Sequence, residues 1–290
     1  MKNIIFNFFR GTLIGVAEVI PGVSGGTIAL ITGIYERIID QAALAVEALL
    51  KFSNPKRLLN GIKNLDWKLL LPVLIGMFTA LIVGARIIEP LLENHPIQLR
   101  ALFAGLVMIG IFIPYQMVKQ TSHGNWRLAD YLLALAAAVV AFFLTGLPSA
   151  EVSDPSYLFI FLAAAIAICA LVLPGVSGSF FLLSIGLYAP TIAAVNDRNI
   201  SYLLVFALGA FVGLASFVML LRWLLANKPR PTLVILSGLM LGSLRALWPW
   251  QDADRNLLLP DQAIIQSLLL FILGGLIVWI LIKVEKQLAS

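Results

Sequence analysis

The chain has 290 residues, of which 60% are hydrophobic and 12% charged, and its formal net charge is +5. Soluble domains carry about 25% charged residues, so this composition excludes a cytosolic enzyme, a disordered protein and a nucleic-acid-binding domain. A bilayer accommodates this much apolar surface, which predicts an all-α polytopic membrane protein. The lone cysteine, Cys169, excludes an intramolecular disulfide and a cysteine-based metal site. We expect neither a metal nor a cofactor.

Apolar stretches near the ~20 residues that cross a bilayer recur along the chain. They cover residues 69–93, 97–118, 127–147, 201–225, 233–250 and 264–282, and predict about six full spans. Two further apolar regions, 4–39 and 157–195, are interrupted by the matching motifs Pro21-Gly-Val-Ser-Gly and Pro174-Gly-Val-Ser-Gly. Proline removes a helical donor and glycine tolerates non-helical angles. Each region is therefore predicted to form two half-helices that meet at a loop.

The distribution of basic residues predicts the topology, because Lys and Arg accumulate on the cytoplasmic side. Basic residues flank region 4–39 on both sides, whereas the segment 148–156 has none. We therefore expect the first broken region to be a re-entrant hairpin from the cytoplasm and 157–195 to be one from outside, with both termini in the cytoplasm. This topology puts 15 of the 20 basic residues on the cytoplasmic side. Arg86 and Arg245 then lie in the membrane, and Arg100, Arg198 and Arg255 in external loops.

The two halves of the chain resemble each other in sequence. An offset of 153 aligns the two Pro-Gly-Val-Ser-Gly motifs, and it also aligns Gly33 with Gly186 and Tyr35 with Tyr188. Further on, an offset of 133 aligns Gly76 with Gly209, Gly105 with Gly238, and Asn94/Pro96 with Asn227/Pro229. Three intervening crossings give the copies opposite orientations, as in the inverted-topology repeats of secondary transporters. The predicted units are residues 1–126, a connecting span 127–147, a second repeat 148–255 and a C-terminal span 264–290.

The paired loops are the predicted binding site. Irregular backbone at membrane depth is tolerated inside protein or beside a water-filled cavity, and half-helix N-termini favour an anion there. Glycine lets backbone N–H donors approach such a group, and hydroxyls add further donors. The predicted anion-binding residues are Ser24, Gly25, Gly26, Thr27, Ser177, Gly178 and Ser179. The alternative is that proline and glycine only kink these helices.

Few ionisable residues fall at membrane depth, where they are costly and usually functional. Glu18 lies three residues before Pro21, and its repeat counterpart is Leu171. We expect Glu18 to bind a proton or sodium ion; the alternative is a carboxyl group that only caps backbone donors of the loop. Glu89 is a second candidate for ion coupling.

Two arginines are candidates for binding a phosphate or carboxylate, because the guanidinium fork matches those groups. Arg86 lies three residues before Glu89, so the alternative is a self-contained ion pair near the interface. For Arg245 the alternative is a side chain that extends to the external interface. Tyr35 and Tyr188 are candidates either for contacting the ligand or for anchoring the membrane interface.

The run from Gly15 to Glu36, with Leu173-Pro-Gly-Val-Ser-Gly178 in the second half, resembles a family of bacterial and archaeal membrane proteins. These are the polyprenyl-phosphate (undecaprenyl-phosphate) transporters, formerly a domain of unknown function. The resemblance implies a flippase of the bacterial cytoplasmic membrane that returns undecaprenyl phosphate, the C55 lipid carrier, to the inner leaflet for peptidoglycan synthesis. It also implies polyprenyl-phosphate and membrane lipids as partners, with proton or sodium coupling. The sequence does not decide whether the protein is a monomer or a homodimer.

A second similarity, to undecaprenyl-pyrophosphate phosphatases, offers an alternative. Their motif has the form Glu-x-x-Pro-x-Ser-Ser-Thr-Gly-His, and Glu18, Pro21 and Ser24 fit this frame. Thr27 stands at the histidine position, and a serine nucleophile needs an adjacent base. This departure favours a binding protein over an enzyme. A transporter of a small soluble anion is the third hypothesis.

Overall fold

The computed structural model describes residues 2–20, 23–51, 53–121, 124–148, 150, 152, 155–252 and 254–289. Within these ranges, the side chains of residues 2, 85, 86, 88, 89, 92, 93 and 284–289 lie outside the described part. In the first half the helices are α1 (Lys2–Val19), α2 (Gly25–Ile31), α3 (Tyr35–Leu49), α4 (Pro55–Lys63), α5 (Trp67–Asn94), α6 (Pro96–Gly110), α7 (Phe112–Thr121) and α8 (Leu128–Leu144). The second half has α9 (Tyr157–Val172), α10 (Gly178–Ser184), α11 (Tyr188–Asn196), α12 (Ile200–Asn227), α13 (Pro229–Ser243), a 3₁₀ helix (Leu244–Leu247) and α14 (Ile264–Ala289).

The two interrupted regions each contain three helices rather than the two half-helices predicted. The first break lies at the Pro-Gly-Val-Ser-Gly motif, as predicted. A second break follows the seven-residue helices α2 and α10, at Gly33 (φ 68°) and Gly186 (φ 81°). The N–H of Ile34 donates to the carbonyl of Ala29 at 3.0 Å across this turn. This bond is the helix-terminating pattern that favours glycine in the left-handed conformation.

The long helices α5 and α12 end in matching corners. Each has 28 residues and is followed by one non-helical residue and a proline that begins the next helix. The corner residues, His95 (φ −136°, ψ 48°) and Lys228 (φ −133°, ψ 50°), have nearly identical backbone angles. The Asn94 and Asn227 side chains each donate to a carbonyl one turn earlier, at 2.7 and 2.9 Å. The Asn-x-Pro pairs aligned in the sequence thus form the same structure.

Four pairs of helices pack closely and run in the same direction. Helix α1 lies along α5, where Gly11 approaches the Val73 carbonyl and Gly15 that of Met77. Helix α9 lies along α12 in the same way, through Gly209. Helices α6 and α14 form the third pair, and α8 and α13 the fourth, again with glycines against backbone carbonyls. Small residues at such contacts let helix backbones approach closely, which is how membrane helices associate.

The described helices are those of a multi-pass membrane protein. Four segments are long and apolar enough to cross a bilayer: Trp67–Gly84, Pro96–Thr121, Ile200–Asn227 and Ile264–Lys283. Two of the six predicted spans are shorter helices. Predicted span 127–147 forms the 17-residue α8. Predicted span 233–250 contains the end of α13, which stops at Ser243, and the 3₁₀ helix Leu244–Leu247 that follows it.

Candidate functional site

The carboxyl group of Glu18 lies at the start of α2, beside the first loop. Ser24 is the N-cap of this helix, and its Oγ accepts from the N–H of Gly26 at 3.1 Å. The N–H of Gly25 donates to Oε1 of Glu18 at 2.7 Å. A Cβ at position 25 would collide with that carboxyl group, so glycine makes the approach possible. In this structure Glu18 therefore caps α2, which is the alternative role considered for it.

The two loops contact each other through hydroxyl groups. The Ser24 hydroxyl donates to the carbonyl of Leu173 at 3.0 Å and lies 3.4 Å from that of Leu171. The Tyr35 hydroxyl donates to the Val172 carbonyl at 3.2 Å, so the C-terminal carbonyls of α9 are bonded by the first half of the chain. In return, the N–H of Gly175 donates to the buried Oγ1 of Thr27 at 2.8 Å. These donors and acceptors, expected to face a ligand, bond instead within the protein.

The second loop differs from the first although its motif is the same. Ser177 has nearly the backbone angles of Ser24 and caps α10, accepting from the N–H of Phe180 at 3.4 Å. Its hydroxyl lies 3.0 Å from that of Ser179 and forms a bond within its own loop. Tyr188 is 41% exposed, whereas Tyr35 is 3% exposed. The site is therefore asymmetric, because the hydroxyl of Ser24 in the first loop bonds the other half of the chain, whereas that of Ser177 bonds within its own loop.

A cavity of about 470 Å³ adjoins the loop pair. Residues of α1, α2, α3, α5, α9, α10 and α12 line it, and nearly all of them are apolar. The polar groups on its wall are Glu18, Tyr35 and Ser179, together with the backbone of Gly25 and Gly26. Leu74 and Leu171, also on the wall, are 38% and 37% exposed, so the cavity reaches the outer surface of the helix bundle. This shape suits an amphiphile with a long apolar part and a small polar end.

Of the predicted arginines, Arg245 is described, and it does not line this cavity. The Arg245 Nη1 donates to the Phe142 carbonyl at 3.2 Å, and its guanidinium lies 4.6 Å from the Phe142 ring centroid, at the end of α8. Arg86 and Glu89 belong to α5, but their side chains lie outside the described residues. Of the predicted group, the structure brings together Glu18 with the first-loop residues and Tyr35, and places Ser179 on the same wall.

Arg100 and Arg255, which were expected in external loops, make contacts that the sequence did not predict. The Arg255 Nη1 donates to the Leu147 carbonyl at 2.8 Å, and its guanidinium covers the Phe180 ring of α10 at 4.0 Å. Arg100 contacts the Pro249 carbonyl at 3.5 Å. No spacing in the sequence predicts these contacts, because the segment from 248 to 263 is irregular.

The fold and the cavity define a multi-pass membrane protein with an apolar cavity that ends at two hydrogen-bonded loops. A family model described as VCA0040-like, undecaprenyl phosphate translocase-like, matches residues 14–265. The chain belongs to this family.

Two curated relatives bear the same name, polyprenyl-phosphate transporter. The protein from Vibrio cholerae serotype O1 is 37% identical over 250 residues, which cover 86% of this chain and 79% of the relative. The protein from Staphylococcus aureus is 26% identical over 298 residues, which cover 93% of each chain. No solved structure matches the chain. Both relatives are transporters by name, which agrees with the prediction of a transporter rather than an enzyme.

Proposed function

We propose that this protein moves a polyprenyl phosphate, of the undecaprenyl phosphate type, between the leaflets of the bacterial cytoplasmic membrane. The cavity beside the loops carries the proposal. Its volume of about 470 Å³ is that of a site for a drug-sized molecule, so a long prenyl chain would remain mostly in the bilayer. The exposed wall residues Leu74 and Leu171 provide the lateral route that such a chain needs.

The proposal includes re-entrant regions and cytoplasmic termini. Because α1 and α5 run in the same direction, the chain between them must return to the side on which α1 began. The side chain of Asn7 near the start of α1 donates to the Lys68 carbonyl at the start of α5, at 3.0 Å. Arg37, at the start of α3, pairs with Asp66 at 2.9 Å. Both flanks of the first broken region thus lie beside the start of α5, where the basic residues favour the cytoplasm.

The second broken region repeats this arrangement on the other side. Its first helix, α9, is parallel to α12, and Ile160, Ala194 and Tyr202 from α9, α11 and α12 form one buried cluster. Its two flanks therefore lie together at the start of α12. With the matching corners after α5 and α12, this supports an inverted repeat of units 1–126 and 148–255. Span 127–147, which contains α8, packs on α13 of the second unit. Span 264–290, which contains α14, packs on α6 of the first unit.

In the proposed mechanism the lipid phosphate binds where the two loops meet. The donors there are now used internally, so phosphate binding requires the loops to separate and Glu18 to leave the Gly25 N–H. Protonation of Glu18 removes the charge from its carboxyl group and weakens this bond, because hydrogen bonds to ionised groups are the stronger ones. A proton taken up by Glu18 would thereby free the α2 terminus for the phosphate. Glu18 then couples the movement to an ion gradient.

Neither alternative function gains support from the site. The Ser24 hydroxyl donates to main-chain carbonyls, and its oxygen accepts from the Gly26 N–H. It is therefore not paired with the base that a phosphatase nucleophile requires. A carrier of a small soluble anion needs a cavity closed to lipid, whereas this one includes exposed wall residues.

The test is leaflet exchange of a fluorescent short-chain polyprenyl phosphate in proteoliposomes, with an imposed proton or sodium gradient. The purified protein should accelerate exchange, and Leu214→Trp, which fills the cavity from α12, should return the rate to that of protein-free liposomes. Leu208→Trp is the matched control, since Leu208 lies on the same helix and is 57% exposed. An absence of exchange under every gradient, or equal exchange by both variants, would contradict the proposal.

A further inference from the structure

The first half of the chain has a helix that the second half lacks. Residues 50–66 separate α3 from α5 and contain α4, whereas only residues 197–199 separate α11 from α12. The offset between the aligned halves falls from 153 to 133 across this segment, which corresponds to an insertion of 20 residues. Helix α4 is therefore an addition to the proposed repeat.

Helix α4 is held in a fixed orientation by its neighbours. Asn54 caps its start by accepting from a backbone N–H of the first turn at 3.2 Å. Gly61 packs on α3 so closely that a Cβ there would lie 2.5 Å from the Cβ of Ala48. The Trp67 indole N–H, at the start of α5, donates to the Ile62 carbonyl at 2.9 Å. The fold thus determines which face α4 turns outward.

One face of α4 is apolar and only partly covered by protein. The helical repeat brings Leu58, Leu59 and Ile62 to this face. Leu58 and Ile62 are half-buried, whereas Leu59 is 52% exposed. Leu50 before the helix and Trp67 after it are exposed as well. Large apolar side chains exposed around one short helix indicate an interaction surface.

The other face of α4 is basic. It carries Lys56, Arg57 and Lys63, all of them exposed, and Lys51 is exposed just before the helix. The segment 48–65 contains these four basic residues and no acidic one. Within the described part of the chain, none of the four forms an ion pair with a carboxylate. Their charge is therefore available to an anionic surface.

We propose that α4 lies in the headgroup layer of the bilayer and binds anionic phospholipids, with Leu59 between the acyl chains and the basic residues among the phosphates. A helix with one apolar and one basic face binds such a surface by burying apolar area and by attracting anionic lipid. A soluble acidic partner fits less well, because it would satisfy the charges and leave exposed apolar side chains in water. In the proposed topology the surface is the cytoplasmic leaflet, but the binding itself does not depend on transport.

Fluorescence quenching in proteoliposomes tests this proposal. Leu59→Cys in the Cys169→Ala variant carries an environment-sensitive dye. The bilayer contains phosphatidylglycerol and phosphatidylcholine at equal mole fractions, and one or the other has bromine atoms on its acyl chains. Brominated phosphatidylglycerol should quench the dye more strongly than brominated phosphatidylcholine. About 0.5 M salt should bring the two values closer together, because salt screens the attraction between exposed charges.

Removal of charge from α4 has a matched control. In the labelled protein, Lys56→Gln/Arg57→Gln/Lys63→Gln should remove most of the excess quenching by phosphatidylglycerol. The reason is that each basic residue near an anionic surface contributes about fivefold to binding. The control removes the same charge from exposed positions outside α3, α4 and α5, and should leave the excess unchanged; it is Lys119→Gln/Lys228→Gln/Lys283→Gln.

Three results would overturn the proposal. They are equal quenching by the two lipids when the basic residues are intact, an equal effect of the two triple variants, and no quenching by either lipid, which would place α4 in water. If the α4 variant does not fold, the salt titration of the protein with intact basic residues decides. Leaflet exchange on the same samples separates this proposal from the proposed function. Exchange without a preference for phosphatidylglycerol contradicts only the lipid binding, whereas a preference without exchange contradicts only the transport.

Discussion

Glu18 makes the capping bond that was one of its two predicted roles, and the other, binding of a proton or sodium ion, stays a prediction. Its carboxyl group bonds the Gly25 N–H and also forms part of the cavity wall. A carboxyl group in this position stabilises the start of α2 and would compete with an anion that approaches it. The repeat counterpart, Leu171, has no carboxyl group, and its main-chain carbonyl lies 3.4 Å from the Ser24 hydroxyl. One residue therefore makes the two halves of the site unequal.

Substitution of Glu18 separates the hydrogen bond from the charge. Glu18→Gln keeps an acceptor for the Gly25 N–H, whereas Glu18→Leu leaves that donor without its partner. We expect Glu18→Leu to lower the free energy of unfolding by about 1–3 kcal/mol and Glu18→Gln to lower it less. Thermal unfolding in detergent measures both, with the exposed Glu36→Gln as control.

The same variants test coupling. Because Gln does not titrate, exchange by Glu18→Gln should no longer respond to an imposed gradient. A Glu18→Gln protein as unstable as Glu18→Leu would contradict the hydrogen-bond role. Retained dependence on the gradient would contradict the coupling role.

At the scale of elements, local chemistry predicted the first helix break and not the second. The Pro-Gly-Val-Ser-Gly motifs contain the breaking residues together, so their effect is visible in the sequence. Gly33 and Gly186 were aligned by the repeat, but a lone glycine in an apolar run is also tolerated within a helix. Only the backbone, with positive φ at both positions, shows that these glycines end α2 and α10.

The proposed re-entrant topology predicts which helix ends share a side of the membrane. We expect single cysteines replacing Asn3 and Asn60 to react with a membrane-impermeant maleimide only from the cytoplasmic side. Cysteines replacing Tyr157 and Asp197 should react only from outside, because α9 begins and α11 ends there. All four positions are exposed. Each cysteine is introduced into the Cys169→Ala variant, and that variant without an added cysteine is the labelling control. Opposite accessibility of positions 157 and 197 would mean that the second region crosses the membrane.

At the scale of the whole molecule, the contacts between paired helices match across the repeat, but the sequence did not predict the contacts of Arg255. The offsets place Phe8 with Phe161 and Gly76 with Gly209, and the structure shows each glycine against the carbonyl of its phenylalanine. The contact of Arg255 with Leu147 depends on how the segment after Leu247 folds over the end of α8. Such a segment has no periodicity, so a hydropathy pattern could not locate Arg255.

The proposed inverted repeat implies a second state in which the two loops exchange roles. In the present state the Ser24 hydroxyl donates to the Leu173 carbonyl at 3.0 Å, so residues 24 and 173 are in contact. The offset of 153 converts this pair into Ser177 and Ile20, whose contact would form in the exchanged state. The counterpart of Glu18 is Leu171, which has no carboxyl group, so we expect the two states to differ in free energy and the present one to be favoured without substrate.

Two disulfides test this exchange in the Cys169→Ala background. Ser24→Cys with Leu173→Cys should cross-link readily without substrate, and leaflet exchange should fall to the protein-free rate and recover with reductant. Ser177→Cys with Ile20→Cys should cross-link slowly at first and faster when farnesyl phosphate is added, because the ligand shifts the population toward the exchanged state. The four single cysteines control for loss of activity by substitution alone. Cross-linking of the second pair at a rate that substrate does not change, or full exchange while the first pair is locked, would show that transport does not depend on the loops exchanging roles.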